Sequence, residues 1–78
     1  MDKVHIFEKV AAIVARIGRL DVENIVPEST LGGLGLDSLD GIEIVVDAEC
    51  EFGIVIPEIP NDLKINEFVN YIERMLKR

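Results

Sequence analysis

Seventy-eight residues, 49% of them apolar, are enough for one small domain, residues 1–78, and a single cysteine, Cys50, excludes an internal disulfide framework. With no Trp and only 5% aromatic residues, the core must be built from Ile, Val and Leu. A net charge of −7 argues against nucleic-acid binding and favours basic partners.

No apolar run approaches the roughly 20 residues of a membrane span. The start, Met1-Asp2-Lys3-Val4-His5, has no signal-peptide layout, so a cytoplasmic protein is expected. Val4, Phe7, Val10, Ala11, Val14 and Ile17 recur at helical spacing and predict an amphipathic helix from about Asp2 to Ile17, with Gly18 as its stop signal. His5 lies off that stripe and reads as a solvated histidine.

From Gly18 to Leu36 the pattern breaks into turn residues: Pro27, Ser29, Thr30, Gly32, Gly33 and Gly35. Connections of this length are often functional. Leu20, Ile25, Val26, Leu31 and Leu34 should pin it across the helices. Gly32-Gly33-Leu34-Gly35 has the wrong spacing for a dinucleotide fingerprint, and no strand precedes it.

Next comes Leu34-Gly35-Leu36-Asp37-Ser38-Leu39-Asp40-Gly41. Asp37 reads as a helix N-cap, with Asp40 as a shorter version of the capping-box acid. Ser38 then takes the first helical position, where the helix dipole favours a phosphate. A serine oxygen there suits the carriage of a phosphodiester.

The helix that follows, about Ser38 to Phe52, has two apolar stripes where a surface helix has one. Ile44, Val45, Ala48 and Phe52 gather on one side and read as core. Leu39, Ile42 and Val46 gather nearly opposite, with Cys50 continuing their line. Asp40, Glu43, Asp47 and Glu51 occupy one flank, and Glu49 the other. Leu39, Asp40, Ile42, Glu43, Val46 and Asp47 are therefore expected to form a docking face that meets basic partners. The alternative is a wider core that takes in Ile42; a packed Cys50 is the corresponding alternative for the thiol.

Gly53 closes this helix. Ile54-Val55-Ile56-Pro57 is too short to build a sheet and is expected to be an extended connector. Glu58 to Leu63 could hold one helical turn, limited by Pro60. Asn66 can cap a last helix with Phe68, Val69, Ile72 and Leu76 inward, and Arg74, Lys77 and Arg78 near its C-terminus. The expected fold is all-α: a small four-helix bundle of three main helices and a short, stunted third one, with a long loop between the first two.

Metal and catalytic chemistry find little here. The single His and single Cys have no third partner, and no paired Cys/His ligands occur. An EF-hand register that uses Gly41 puts Leu36 at the first ligand position, where it cannot coordinate.

Leu34-Gly35-Leu36-Asp37-Ser38-Leu39 closely resembles the attachment motif of acyl carrier proteins, and the resemblance spans nearly the whole chain. The family's Asp-Ser-Leu serine falls on Ser38, flanked by Asp37 and Leu39. The resemblance implies covalent 4′-phosphopantetheine on Ser38 and a non-catalytic, monomeric carrier of acyl thioesters, with fatty acid biosynthesis as the expected pathway. Carriers for polyketide, aminoacyl or lipid-modifying chemistry are the alternative, and an unmodified helical interaction module is the alternative of a different class. Implied partners are a phosphopantetheinyl transferase and acyltransferases, ketosynthases, reductases and dehydratases with basic docking patches. The resemblance also makes the second helix the recognition helix. The chain departs from the pattern between Pro57 and the last helix, where it is shorter than typical and carries Pro60.

Overall fold

The computed structural model describes residues 2–57 and 59–77; Met1, Glu58 and Arg78, which figure in the expectations above, lie outside them. The described residues form three α-helices, α1 (Lys3–Gly18), α2 (Ser38–Phe52) and α3 (Ile65–Leu76), with a short 3₁₀ turn at Val22–Asn24. α1 packs against both other helices and forms the middle of the molecule. The fold is all-α as expected. Where the stunted helix was expected, the described residues hold a single turn closed by Leu63 N–H donating to the Pro60 carbonyl at 3.1 Å. Pro57 and Pro60 lack the N–H groups that a helix there would use and bias the residues before them away from helical backbone.

The buried core is aliphatic with two phenylalanines, Phe52 and Phe68. From α1 it takes Ile6, Val10, Ala11, Ile13 and Val14. This corrects the expected stripe: Ile6 and Ile13 are inside, Phe7 and Ile17 are half-buried, and Val4 is 65% exposed. A helix packed between two others buries a wide arc, so one narrow stripe could not describe it. Asp2 caps α1 by accepting the His5 N–H at 3.0 Å. That backbone bond, strengthened by the His5 ring at 2.7 Å, holds the Asp2 carboxyl below its ordinary range. His5 itself is solvated, as expected.

Gly18 is the last residue of α1, and the left-handed turn falls on Arg19 at φ 56°. The Leu20 N–H then returns to the Ala15 carbonyl at 2.9 Å. What Gly18 provides is space: a Cβ there would stand 2.7 Å from the Leu36 side chain.

The loop after α1 is pinned, though by fewer side chains than expected. Ile25, Leu31 and Leu36 are buried, Leu20 and Leu34 are half-buried, and Val26 is exposed. The loop backbone also runs against the start of α3. Ile65 N–H donates to the Ser29 carbonyl at 2.8 Å, Asn66 N–H to the Pro27 carbonyl at 2.9 Å, and Gly32 N–H to the Asn61 carbonyl at 3.1 Å. Thr30 and Lys64 form an isolated antiparallel bridge in this seam. The loop thus satisfies N–H groups that a helix start leaves free. Asn66 is not the cap: α3 begins at Ile65, itself buried, and the Glu67 carboxylate accepts the Lys64 N–H at 2.9 Å.

The extended connector is observed as expected. Gly53 ends α2 in the left-handed region at φ 67°, Ile56 is buried, and the Ile56 N–H donates to the Glu49 carboxylate at 2.7 Å.

Three outcomes follow. Phe52→Ala, at a ring 9% exposed, should cost about 3–5 kcal/mol of stability. Val46→Ala, at a side chain about half exposed, should leave the melting temperature nearly unchanged; thermal melts followed by circular dichroism check both. Cys50 is exposed, so a thiol reagent should label the native chain at close to the rate of the denatured one.

Candidate functional site

The site is built at the start of α2. The chain reaches it through a turn in which Gly35 takes φ 81°, a backbone conformation that other residues adopt only under strain. Leu36 is buried under Gly18, which anchors the approach. Asp37 then caps the helix in extended backbone, φ −100° and ψ −175°. Its carboxylate accepts the Asp40 N–H at 2.9 Å, and the Asp40 carboxylate accepts the Asp37 N–H at 3.2 Å. The reciprocal cap expected from the spacing is formed, and an Asp side chain is long enough to close it. Ser38 is the first residue of α2 and is exposed.

On the inner side, Gly41 is buried, and a Cβ there would meet Leu31 of the long loop at 3.6 Å. The loop therefore supports the first turn of α2 from below while Ser38 faces outward. Leu31 is held in place by the seam against α3. Ser38 stands on rigid elements at both ends.

An apolar groove of about 410 Å³ begins at Ser38. Ile42, Val45 and Val46 form one wall, and Ile59, Pro60 and Asn61 form the other. The second wall was not anticipated from the sequence. Pro60 reads locally as a helix breaker, and nothing in its spacing shows that it lies across from Ser38.

The two faces of α2 divide as expected. Ile44, Ala48 and Phe52 are buried and Val45 is half-buried. Leu39 is 69%, Ile42 59% and Val46 49% exposed, so the wider core that included Ile42 is not formed. The acidic flank is less uniform than expected. Asp47 is ion-paired with Arg16 of α1, and Glu51 with Lys9 at 3.1 Å. Glu49, on the other side, is occupied by the Ile56 N–H. Asp40 and Glu43 have no ion-pair partner among the described residues. Among those residues, no group of three or more His, Cys, Asp or Glu side chains could hold a metal ion, and no helix is long and apolar enough to cross a membrane.

This arrangement presents a hydroxyl rather than activating it. The Ser38 hydroxyl makes no side-chain hydrogen bond among the described residues, and the adjacent Asp37 carboxylate is occupied by the Asp40 N–H. An exposed hydroxyl at a fixed helix start, beside an apolar groove, fits a serine that another protein modifies. It also fits a phosphodiester-linked arm, since the oxygen is free and the groove offers apolar surface along its path.

Comparison with known proteins agrees with this geometry. Residues 8–59 match the family model described as the phosphopantetheine attachment site. The chain is 48% identical over 52 residues to acyl carrier protein AcpXL of Mesorhizobium japonicum, covering 65% of this chain and 56% of that protein. It is 47% identical over 62 residues to AcpXL of Rhizobium meliloti, covering 78% of this chain and 65% of that one. To the acyl carrier protein of Thermosynechococcus vestitus it is 44% identical over 59 residues, 74% of this chain and 73% of the relative. The chain thus spans 56–65% of the length of the two AcpXL relatives. With more than half of its residues inside the family model, the chain belongs to the acyl carrier protein family, whose prosthetic group is covalent 4′-phosphopantetheine.

Proposed function

We propose that this chain, as one carrier domain, bears 4′-phosphopantetheine on Ser38 and carries acyl intermediates as thioesters, in fatty acid biosynthesis, as a cytoplasmic monomer that catalyses nothing itself. The observation that carries the reading is the exposed Ser38 hydroxyl on the first turn of α2, held by the Asp37–Asp40 cap at the mouth of an apolar groove. When bound, the group supplies a terminal thiol that holds and activates an acyl group.

The chain's own residues do the presenting. Asp37 and Asp40 hold the helix start, so that Ser38 Oγ is offered to a transferase in one geometry. In the transfer, that oxygen gives up its proton and bonds to the phosphorus that bears the pantetheine arm of coenzyme A, while the pyrophosphate bond of coenzyme A breaks and its adenosine bisphosphate half leaves. The dipole of α2 then favours the phosphodiester charge, partly offset by the two capping carboxylates. Ile42, Val46 and Ile59 give apolar surface beside the attachment point. Tethering raises the effective concentration of cargo for each enzyme that docks.

The exposed Leu39, Ile42 and Val46 stripe is the proposed docking face, with Asp40 and Glu43 as the acids free to meet basic residues of transferases and pathway enzymes. A specialised carrier is the second reading, supported by relatives that carry the separate name AcpXL among acyl carrier proteins.

Incubation with coenzyme A and a broad phosphopantetheinyl transferase should add one phosphopantetheinyl group by intact mass. Ser38→Ala should abolish the gain while helicity is retained. A gain in that variant would refute the assignment, and none in the wild-type chain would favour an unmodified interaction module. Glu43→Lys should mainly slow association with the transferase and flatten its salt dependence. Val46→Ala should mainly speed dissociation, at a cost of about 1–2 kcal/mol if it is a central contact. Stopped-flow association and dissociation rates separate the two effects.

A further inference from the structure

The four carboxylates on one flank of α2 are not equivalent. Asp47 is bound to the Arg16 guanidinium and Glu51 to the Lys9 ammonium, both projecting from α1. Asp40 is engaged only with its own helix cap, and Glu43 pairs with no cation among the described residues. The flank is therefore negative beside Ser38 and neutralised from Asp47 onward. With 1.5 Å rise per residue, Asp40 and Glu51 are about 16 Å apart along the helix. That exceeds the Debye length of about 10 Å at moderate salt, so a partner meets two electrostatically distinct ends.

We propose that Arg16, with Lys9 one step further along, is a specificity-determining residue. It competes with basic partners for Asp47 and confines their electrostatic docking to the Ser38 end of α2. The proposal rests on the reading of α2 as a carrier's docking face, and the partner it concerns is a protein surface with basic side chains around an apolar centre.

The physical argument is exchange. The Arg16 side chain is 66% exposed and that of Asp47 36%, so the pair is reachable and weakly held. A partner cation that takes Asp47 must displace Arg16, which trades one ion pair for another. The displaced guanidinium then stays nearby and repels the partner. At Glu43 the same cation meets an unneutralised carboxylate. Residues on α1, outside the helix that carries Ser38, thus set where along α2 attraction is felt. A chain of the same α2 sequence without these two cations would present four carboxylates unpaired with any cation where this one presents two.

Arg16→Gln removes the charge and keeps most of the side-chain length. Association is measured by stopped flow with a phosphopantetheinyl transferase and, in parallel, with a fluorescent amphipathic Lys/Leu helical peptide, from low to physiological salt. Arg16→Gln should associate roughly threefold faster at low salt, an advantage that shrinks as salt rises. Asp47→Asn should slow the Arg16→Gln chain more than it slows the wild type. An unchanged or slower Arg16→Gln, or strictly additive effects of the two substitutions, overturns the proposal. Should Arg16→Gln lose helicity, Lys9→Gln, which frees Glu51, is read in the same way. If the wild-type chain gains no phosphopantetheinyl mass, the carrier reading fails separately. The peptide rates then decide alone: a faster Arg16→Gln sustains the inference and an equal rate removes it.

Discussion

The backbone seam between the long loop and the start of α3 is the constraint on which the rest depends. Ser29 and Pro27 give their carbonyls to the N–H groups of Ile65 and Asn66. Those groups would otherwise be unsatisfied at a helix start, and a loop of this length would otherwise be free to move. Each end cancels the other's deficit. With the loop fixed, Leu31 is fixed, and Leu31 lies under Gly41 in the first turn of α2. The position of Ser38 is therefore set in part by Ile65 and Asn66, more than twenty residues away in sequence.

The carrier function asks for little chemistry from the chain and much geometry. Ser38 makes no side-chain hydrogen bond among the described residues, and in the proposed reading it needs none, because a separate transferase would supply the chemistry. What the fold supplies is a hydroxyl that does not wander, an apolar groove beside it, and a helix face left unburied. Leaving Leu39, Ile42 and Val46 exposed gives up burial that a domain this small could use, since each side chain is worth about 1.5–3 kcal/mol when fully buried. The five carboxylates of α2 oppose its further burial and keep that surface available.

Local patterns made much of this legible. The Asp37–Asp40 spacing yielded the cap, and the two stripes of α2 separated core from surface because 3.6-residue periodicity acts within one helix. The family resemblance pointed to Ser38. What stayed hidden depends on pairs far apart in the chain. Ile6 and Ile13 fall outside a single periodic stripe because α1 is apolar around a wide arc, and only its packing against two helices shows how much of that arc is buried. Asp47 looked free because its partner Arg16 lies 31 residues back. Gly18 looked like a conformational stop, and its actual role is clearance for Leu36. Asn66 reads as a cap from its residue type, but α3 begins at Ile65 and its start is satisfied by the loop and Glu67.

The packing of α1 against α3 has a consequence for how the molecule is made. Lys3 and Glu73 come within 3.8 Å, so the first and last helices close one core. Such contacts are of high sequence separation, and they cannot form on a ribosome until α3 has emerged. Until then Ile6, Val10 and Val14 have no α3 to bury them, and the loop has no helix start to grip. The attachment motif is thus synthesised well before the scaffold that presents it. Any protein that recognises the folded α2 therefore meets its target only once α3 has been made.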